Sequence, residues 1–298
     1  EKQVATEEKP ADQGSSLQFY LGGAYSSMGY RLQDGKNLGH IGGELSVRYA
    51  YFFTPEWGLG VGVDFSTYGS RGKLNTMLQW DGQVDTDRES YNHRAVTHDW
   101  KEDQRTYMLS IPLTVQYQHR FNDKVGIFAA LGGFVGFPLI SNYRLVSGAL
   151  EHRGYYPQWN LELYGLNNHD FYTEHIGEAF SKESHKLSLK QIAAGVKVDL
   201  GVIIPLNNKL DLFAGVYGSV ACNDLQSEQH ELGWQQTGYT DYRQHAFMPT
   251  YEGIVNSTYT DAIRPWSVGV KVGIHFRPTK KAPKPILDSE CYVVLDTT

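Results

Sequence analysis

The sequence lacks any run of about 18 apolar residues, so it offers no candidate for a membrane-spanning helix. The mean hydropathy of the 298-residue chain is −0.43, which taken alone is typical of a soluble protein. Only two cysteines are present, Cys222 and Cys291, and their wide separation argues against a disulfide framework. An excess of basic residues is also missing: the net charge of −6 argues against a nucleic-acid-binding protein.

Signatures of catalysis and of metal binding are missing as well. No Gly-x-Ser-x-Gly motif is present. The histidines of the long polar segments show no spacing typical of a zinc site and are expected to be solvent-exposed: His93, His98, His152, His169, His175, His185, His230 and His245. We therefore expect a protein that is not an enzyme, with no catalytic residue, no metal and no cofactor. A hydrolase site built from loop histidines with Asp99, Asp170 or Glu174 is the least favoured alternative.

One stretch, residues 107–120, alternates strictly between two kinds of side chain. One face reads Tyr, Leu, Ile, Leu, Val, Tyr, whereas the other is mostly polar. This period of two predicts a β-strand that is longer than the usual length of about 5–6 residues. A tilted strand needs about 9–11 residues to cross a bilayer. The tyrosines at both ends of the apolar face are typical of a strand that spans a membrane.

Eight segments alternate in this way, and they predict strands over residues 16–30, 40–54, 57–68, 107–120, 125–139, 187–204, 210–222 and 266–277. The connections after the second, fourth and sixth strands are short turns, whereas those after the third, fifth and seventh are long. This rhythm is typical of outer-membrane barrels, whose short turns are periplasmic. The predicted fold is all-β: an eight-stranded antiparallel up-and-down transmembrane β-barrel with short periplasmic turns and three long extracellular loops.

The predicted barrel covers residues 16–278 and is flanked by segments of different composition. Residues 1–15 are charged and lack an apolar period, so we expect a flexible N-terminal tail. Residues 279–298 begin with a basic, proline-rich stretch, which predicts a semi-rigid periplasmic linker followed by the start of a C-terminal segment. Both termini are expected on the periplasmic side.

A soluble barrel of the lipocalin type, with its apolar face inward, is the alternative to a membrane barrel. The face opposite the apolar one argues against it, because that face is mostly Gly, Ala and Ser with a few charges of both signs. Such residues suit the interior of a narrow barrel, where polar groups must find partners. The expected interior polar network consists of Glu44, Arg48, Asp64, Lys197, Asp199, Lys271, His275 and Arg277. We expect it to fill the lumen and fix the strand register, and a selective conduit is the alternative.

Aromatic residues cluster where the apolar faces end, as they do at the two interfaces of a membrane barrel. The expected girdle consists of Tyr51, Phe53, Trp57, Tyr107, Tyr117, Trp266 and Phe276. The long loops are also rich in aromatic residues, in which disordered segments are usually poor. We expect these loops to fold, either against each other as a lid or against a partner. The candidate partner-contact residues are Trp80, Trp100, Tyr155, Tyr156, Trp159 and Trp234.

The chain resembles the N-terminal barrel of the outer-membrane protein A family. The eight strands, the last strand ending in Phe276, and the proline-rich linker after it carry this resemblance. The sequences YMLSIPLTVQ (residues 107–116) and KVGIFAALGGFVGF (residues 124–137) resemble the outer-membrane β-barrel domain common in Bacteroidota. In that family a periplasmic domain after the linker binds peptidoglycan. Some members dock as accessory subunits on larger outer-membrane machines, including the barrel-assembly apparatus.

The resemblance implies a structural or scaffold barrel of a Gram-negative outer membrane. We expect it to act in envelope tethering or as an accessory subunit, with a narrow passive pore and a surface adhesin as alternatives. The expected partners are outer-membrane lipid, lipopolysaccharide and other outer-membrane proteins. Peptidoglycan is expected only through a domain that would follow residue 298, and no nucleic acid is expected.

Overall fold

The fold is described from a computed structural model of the chain. The structure describes residues 13–85, 87–122, 124–169, 171–178, 182–207, 209–230 and 253–278. Within these ranges, no helix is long and apolar enough to cross a membrane. Regular structure in this part of the chain is almost entirely β, and the helical elements there are two three-residue 3₁₀ turns.

In the described ranges, twelve strands form one antiparallel sheet. Eight are long: β1 (Gly14–Ser27), β2 (Gly35–Phe52), β3 (Trp57–Leu74), β5 (Ser90–Asn122), β6 (Val125–Tyr156), β10 (Ala193–Asn207), β11 (Leu210–Ala221) and β12 (Trp266–Phe276). Four are short: β4 (Met77–Val84), β7 (Leu161–Leu163), β8 (Thr173–His175) and β9 (Ser184–Lys186). The long strands pair in the order β5-β3-β2-β1-β12-β11-β10-β6, and the pairing of β6 with β5 closes the ring. The predicted eight-stranded barrel is confirmed.

The two ends of the barrel differ in how the strands are connected. At the short-turn end, β2 joins β3, β5 joins β6 and β10 joins β11 through two to four residues. At the long-loop end, the connections after β3, β6 and β11 are much longer, and the one between β1 and β2 spans residues 28–34. The chain enters β1 and leaves β12 at the short-turn end.

The barrel has an apolar exterior and a largely polar interior, the reverse of a soluble protein. Its outward side chains form an apolar band, in which Leu113 is 63%, Leu131 is 60% and Val270 is 66% exposed. Its inward side chains are largely polar, and Gln18, Arg48 and Asp64 are all 0% exposed. An apolar exterior is stable in hydrocarbon, and a closed barrel leaves no strand edge unsatisfied there. The barrel is therefore a transmembrane one, and the lipocalin-type alternative is excluded.

The aromatic girdle residues lie at the two borders of this apolar band. Tyr51, Phe53, Trp57, Tyr117 and Phe276 lie near the short-turn end, where the Trp57 and Tyr117 ring centroids are 4.9 Å apart. Tyr107 and Trp266 lie at the opposite border. There, Tyr107 stacks on Phe65 at 6.1 Å, and Trp266 lies 5.9 Å from Tyr25. All seven predicted residues point outward and are at least partly exposed.

Two of the three long polar segments expected to be loops, those after the third and fifth predicted strands, are in large part strands. β3 continues to Leu74, β5 begins at Ser90, and β6 continues to Tyr156. The pairing of β5 with β6 is interrupted only by bulges between Asn122–Val125 and Asn92–Tyr155. These extensions, with β4, β7, β8 and β9, form a folded β-projection beyond the long-loop end. The apolar alternation that marks the membrane strands is absent here because the outer face of the projection meets water.

The earlier start of β2 has the same origin. β2 begins at Gly35 instead of residue 40, because residues 35–39 pair with β3 up to a bulge between Gly39 and Gly43. The polar, glycine-rich start of β2 lies outside the apolar band and does not show the pattern from which strands were predicted. In contrast, β10 begins at Ala193 rather than at residue 187, and β1 ends at Ser27 rather than at residue 30, so the pattern extends these two strands too far.

Candidate functional site

Six charged side chains from four strands meet in the middle of the lumen. Each is at most 3% exposed: Glu44 and Arg48 on β2, Asp64 on β3, Lys197 and Asp199 on β10, and Lys271 on β12. Strand alternation directs all six inward, because each lies on the face opposite the apolar one. With three carboxylates and three cations, the group, here called the charge cluster, has no net formal charge.

Arg48 lies at the centre of the charge cluster. Its guanidinium donates to Asp199 at 2.5 Å and to Asp64 at 3.3 Å, and it lies 4.0 Å from Glu44. Burial of charges in this way is tolerated only where pairing and hydrogen bonds compensate for lost hydration. The arrangement therefore depends on every member of the cluster being present.

The two lysines complete the pairing. Lys197 donates to Glu44 at 2.5 Å and also to Asp64, which accepts a further hydrogen bond from the Ser46 hydroxyl. Lys271 donates to Asp199 at 2.5 Å, and its ammonium group lies 4.5 Å from the centroid of the Tyr20 ring. A cation over an aromatic face is stabilised electrostatically.

Glycines on neighbouring strands make room for these long side chains. Gly62 is the register partner of Arg48, and a Cβ atom there would lie 2.5 Å from Arg48 Cγ. Gly22 pairs with both Glu44 and Lys271, and a Cβ atom there would lie 2.8 Å from the Tyr217 ring. The small residues of the inward face thus supply the volume that the charge cluster occupies.

An aromatic layer fills the lumen between the charge cluster and the short-turn end. Phe128, Phe213 and His275 pack together, with the Phe213 and His275 rings stacked at 5.7 Å. His275 Nε2 shares a 2.9 Å hydrogen bond with the Tyr20 hydroxyl. His275 is thus inside the barrel as predicted, but it belongs to this layer and not to the charge cluster.

Asp211 closes the short-turn end of the lumen. It accepts hydrogen bonds from Arg120 at 3.0 and 3.1 Å and a further one from Arg277. Arg277, predicted to be interior, lies one residue beyond β12 at this rim. Sequence reasoning missed Asp211 and Arg120 as partners, although their positions in the strand alternation place both on the inward face.

Part of the connection between β11 and β12 fills the other end of the lumen. Ile254, Val255 and Ile263 are each 0% exposed, and the Ile254 amide donates to the Glu102 carboxylate at 3.1 and 3.3 Å. Val255 and Ile263 belong to an apolar cluster with Met108 and Phe134 from the barrel wall and Met28 from the connection between β1 and β2. The lumen is filled at each of these levels along its length.

The projection has an apolar core of its own. Trp100 is 0% exposed and packs with Leu74, Leu145, Leu150 and other residues of this core. Tyr156 is 5% exposed and packs with Tyr91 and Phe171. Both had been predicted as partner-contact residues, and both predictions are wrong. Both aromatic side chains pack inside the projection and stabilise it, because the pairing of its strands buries the faces on which they lie.

His93 and His152 are also buried within the projection, at 0% and 1% exposure, contrary to the expected solvent exposure. His93 Nε2 and His152 Nδ1 are 2.9 Å apart, and the other nitrogen of His152 lies 3.4 Å from Glu174. Burial and the neighbouring His152 lower the pKa of His93 to about 3. Among the described residues, no group of three or more His, Cys, Asp or Glu side chains could hold a metal ion.

The distal end of the projection exposes large apolar side chains. Trp159 is 56%, Leu161 is 43%, Tyr164 is 59% and Leu166 is 39% exposed. The Gln158 side chain donates to the Ser90 carbonyl at 2.9 Å, which joins this end to the start of β5. We call Trp159, Leu161, Tyr164 and Leu166 the apolar tip. The sequence offered Trp159 as a candidate but did not group it with the other three.

The remaining candidates occupy intermediate positions. Trp80 is partly buried beside the Trp100 cluster. The Tyr155 ring lies 4.0 Å from the guanidinium carbon of Arg94. Trp234, like residues 1–12 and 279–298, is outside the described residues, as are Asp170 and His245.

Comparisons with known proteins give no close relative. No protein-family profile and no curated protein matches the sequence. Among solved structures, the outer membrane protein OprG from Pseudomonas aeruginosa is 11% identical over 90% of this chain and 98% of its own, with a TM-score of 0.39. Neisserial surface protein A is 11% identical over 88% and 99%, with a TM-score of 0.34.

A third solved structure is that of Ail, the attachment invasion locus protein of Yersinia pestis, in complex with the heparin analogue sucrose octasulfate. It is 12% identical over 89% of this chain and 99% of its own, with a TM-score of 0.30. Because the TM-scores are below 0.5, the fold assignment rests on the strand pairing described above.

Proposed function

We propose that this protein is a non-enzymatic scaffold of the bacterial outer membrane, in which the filled barrel anchors a folded projection that binds a partner through its apolar tip. The observation that carries the proposal is the continuity of β5 and β6. The same two strands form part of the barrel wall and the central pair of strands of the projection. A binding surface built on continuous strands is held rigidly relative to the membrane.

The outer membrane is the proposed location because closed transmembrane β-barrels with short turns at one end are typical of it. The long-loop end would then be extracellular, and the chain would enter β1 and leave β12 on the periplasmic side. The projection would extend into the extracellular space by about 50 Å of strand, counted from Tyr107 to Asn92 at about 3.4 Å per residue.

The apolar tip supports a partner-binding role. Four apolar side chains are exposed within residues 159–166, and exposed apolar surface concentrated in one segment marks interaction sites. Aromatic residues such as Trp159 and Tyr164 are enriched at the energetic centres of protein interfaces. An accessory subunit would use this tip on another outer-membrane protein, whereas an adhesin would use it on an external surface.

A passive pore is disfavoured by the contents of the lumen. The Asp211 rim, the aromatic layer, the charge cluster and residues 253–263 each occupy a different level of it. We expect the reconstituted full chain to show no stepwise conductance in planar bilayers. A role in peptidoglycan tethering would act through segments after residue 278, and it stays a prediction from the family resemblance.

The test is gentle purification of the full chain from its native membrane, followed by mass spectrometry of co-eluting proteins. Replacing Trp159 and Tyr164 by alanine should reduce recovery of a specific partner at least tenfold, because aromatic hot spots contribute about 2 kcal/mol or more each. Replacing Phe121, an exposed aromatic residue at the short-turn end, by alanine is the matched control and should leave recovery unchanged. Equal recovery of the partner with the wild-type protein, the double variant and the Phe121 control would contradict binding through the tip.

A further inference from the structure

The barrel exterior carries a group of basic side chains just beyond the girdle at the long-loop end. They lie on the outward face of neighbouring strands on one side of the barrel: Lys36 on β2, Arg71 and Lys73 on β3, Lys101 and Arg105 on β5, Arg144 on β6, and Lys186 on β9. Each is partly or fully exposed. We call these seven residues the basic patch.

Strand register aligns the basic patch in rows. Lys36 pairs with Lys73, which pairs with Lys101. One step closer to the membrane, Arg71 pairs with Asp103, which pairs with Arg144. Cross-strand neighbours on one face are about 4.5–5.5 Å apart, so like charges directly opposite each other repel. The aligned basic side chains therefore repel each other, and an anion bound to the patch would reduce this repulsion.

Asp103 is the acidic member of these rows among the described residues, and it organises the arginines. Arg71 donates to both of its oxygens, at 2.5 and 2.9 Å, and Arg144 lies 3.8 Å away. Although burial alone would raise the pKa of Asp103, the hydrogen bonds and charge of Arg71 hold it below the ordinary value. The Arg144 side chain remains 58% exposed, so its guanidinium can still donate to a ligand.

A cavity of about 290 Å³ opens between this row and the membrane border. Its lining includes Asp103, Arg105 and Arg144 together with the girdle residue Tyr107. Arg105 is two residues from Tyr107, which is about 7 Å along the strand. Because girdle residues mark the membrane–water interface, this distance places Arg105 at the level expected for lipid headgroups.

The surface on the membrane side of the cavity is apolar. Ile111 is 49%, Phe137 is 38% and Ile140 is 56% exposed, and all three lie on the same side of the barrel as the basic patch. A ligand that bound at the cavity could therefore place acyl chains on the barrel wall and negative charge on the arginines. A soluble anion would contact only the arginines and would leave the apolar wall uncovered.

We propose that the basic patch and the cavity beside Tyr107 bind the phosphorylated headgroup of an outer-leaflet glycolipid, whose acyl chains pack on the apolar wall formed by β5 and β6. The guanidinium groups of Arg71, Arg105 and Arg144 suit phosphate because they donate in a planar fork. The proposal rests on the outer-membrane location proposed above, but it does not depend on a partner at the apolar tip.

The test uses the purified full chain in detergent and native mass spectrometry to count bound lipid. The probes are diphosphorylated lipid A and the same lipid with its phosphates removed. Diphosphorylated lipid A should bind at least tenfold more tightly than the dephosphorylated form. The variant R71Q/R105Q/R144Q should lose at least tenfold in affinity for the phosphorylated probe.

The matched control is R31Q/K190Q/R264Q, which removes three exposed basic residues of the long-loop end near β1, β10 and β12 that do not belong to the basic patch or line the cavity. It should change lipid binding less than twofold. A second patch variant, R105Q/R144Q, leaves the Arg71–Asp103 pair intact and keeps the test valid if the triple variant fails to fold. It should lose at least threefold.

Three results would overturn the proposal. Patch and control variants could lose affinity equally, which would indicate non-specific charge. Both lipid probes could bind equally, which would exclude phosphate recognition. Inorganic phosphate at millimolar concentration, or a soluble sulfated oligosaccharide, could displace the lipid completely, which would make the ligand a free anion. Failure of the chain to insert into vesicles would instead contradict the proposed membrane scaffold.

Discussion

The charge cluster makes a prediction that separates stabilisation by pairing from simple filling of space. Replacing Arg48 by methionine keeps a long side chain in the lumen but removes its charge. Three carboxylates, Glu44, Asp64 and Asp199, would then face two lysines. The cluster would hold one uncompensated negative charge at a site where the arginine is 0% exposed.

The expected magnitude follows from the geometry. Arg48 contacts Asp199 at 2.5 Å and Asp64 at 3.3 Å, so each pair of charge centres is about 4 Å apart. At an effective dielectric constant of about 20, one such pair attracts by roughly 4 kcal/mol. Repulsion from the two lysines offsets part of the sum. We therefore expect R48M to lower the free energy of unfolding by about 3–5 kcal/mol, as is usual when one partner of a buried pair is lost.

The assay is urea unfolding of the protein in detergent micelles, followed by tryptophan fluorescence, in a double-mutant cycle with D199N. Each single variant leaves a net charge in the cluster, whereas R48M/D199N is neutral again. The double variant should therefore cost less than the sum of the singles by about 2–3 kcal/mol. Arg144→Met, at an exposed arginine, is the control and should change stability by less than about 0.5 kcal/mol.

Additivity of the two single effects within about 0.5 kcal/mol would refute this reasoning. It would mean that Arg48 and Asp199 stabilise the barrel independently, through packing or through contacts with other groups. A loss below about 1 kcal/mol in R48M would also refute it, because water or rearranged lysines would then compensate for the missing charge.

Close packing in the lumen and burial in the projection can be tested by single substitutions. Gly62→Ala should destabilise the barrel by about 1–3 kcal/mol because its Cβ atom would clash with the Val47 carbonyl oxygen. Gly23→Ala, with open space around it, should be near neutral in the same urea assay. The pKa of His93 is about 3 in the folded protein and about 6.5 in the unfolded chain. The neutral buried imidazole therefore contributes its full stability above pH 6.5, and this contribution is lost as the pH falls toward 3. The projection should therefore lose about 2 kcal/mol at pH 5 and become more sensitive to protease, and His93→Leu should remove that pH dependence. Glu102→Ala removes the acceptor of the Ile254 amide, so hydrogen exchange at residues 253–263 should accelerate at least tenfold, and an unchanged rate would show that packing alone holds this segment.

Strand alternation alone was enough to place the barrel residues. The inward direction of Glu44, Lys197 and Lys271 and the outward direction of Trp57 and Tyr107 follow from a period of two, which is a property of the local backbone. The number of strands and the difference between the two ends were readable for the same reason. The membrane strengthens this signal, because every outward residue of the band has to be apolar.

Pairing within the lumen could not be read from the sequence. Lys197 and Glu44 are 153 positions apart, and closure of the ring is what brings them together. The same holds for Asp211 and Arg120, which lie 91 positions apart. The alternation along a strand assigns each residue to the inner or the outer face of the sheet. It carries no information on which strand lies opposite across the lumen.

The projection was decided by tertiary structure even more completely. Residues 90–105 have no apolar alternation, because water surrounds their outer face and the inner face includes His93, Thr97 and Glu102. Trp100 and Tyr156 were indistinguishable in sequence from the exposed Trp159, and only the packing of the strands buries the first two. The sequence by itself determined a transmembrane barrel, since that depends on local periodicity. Which aromatic residues form a core, and which remain free to bind, depended on contacts between distant segments.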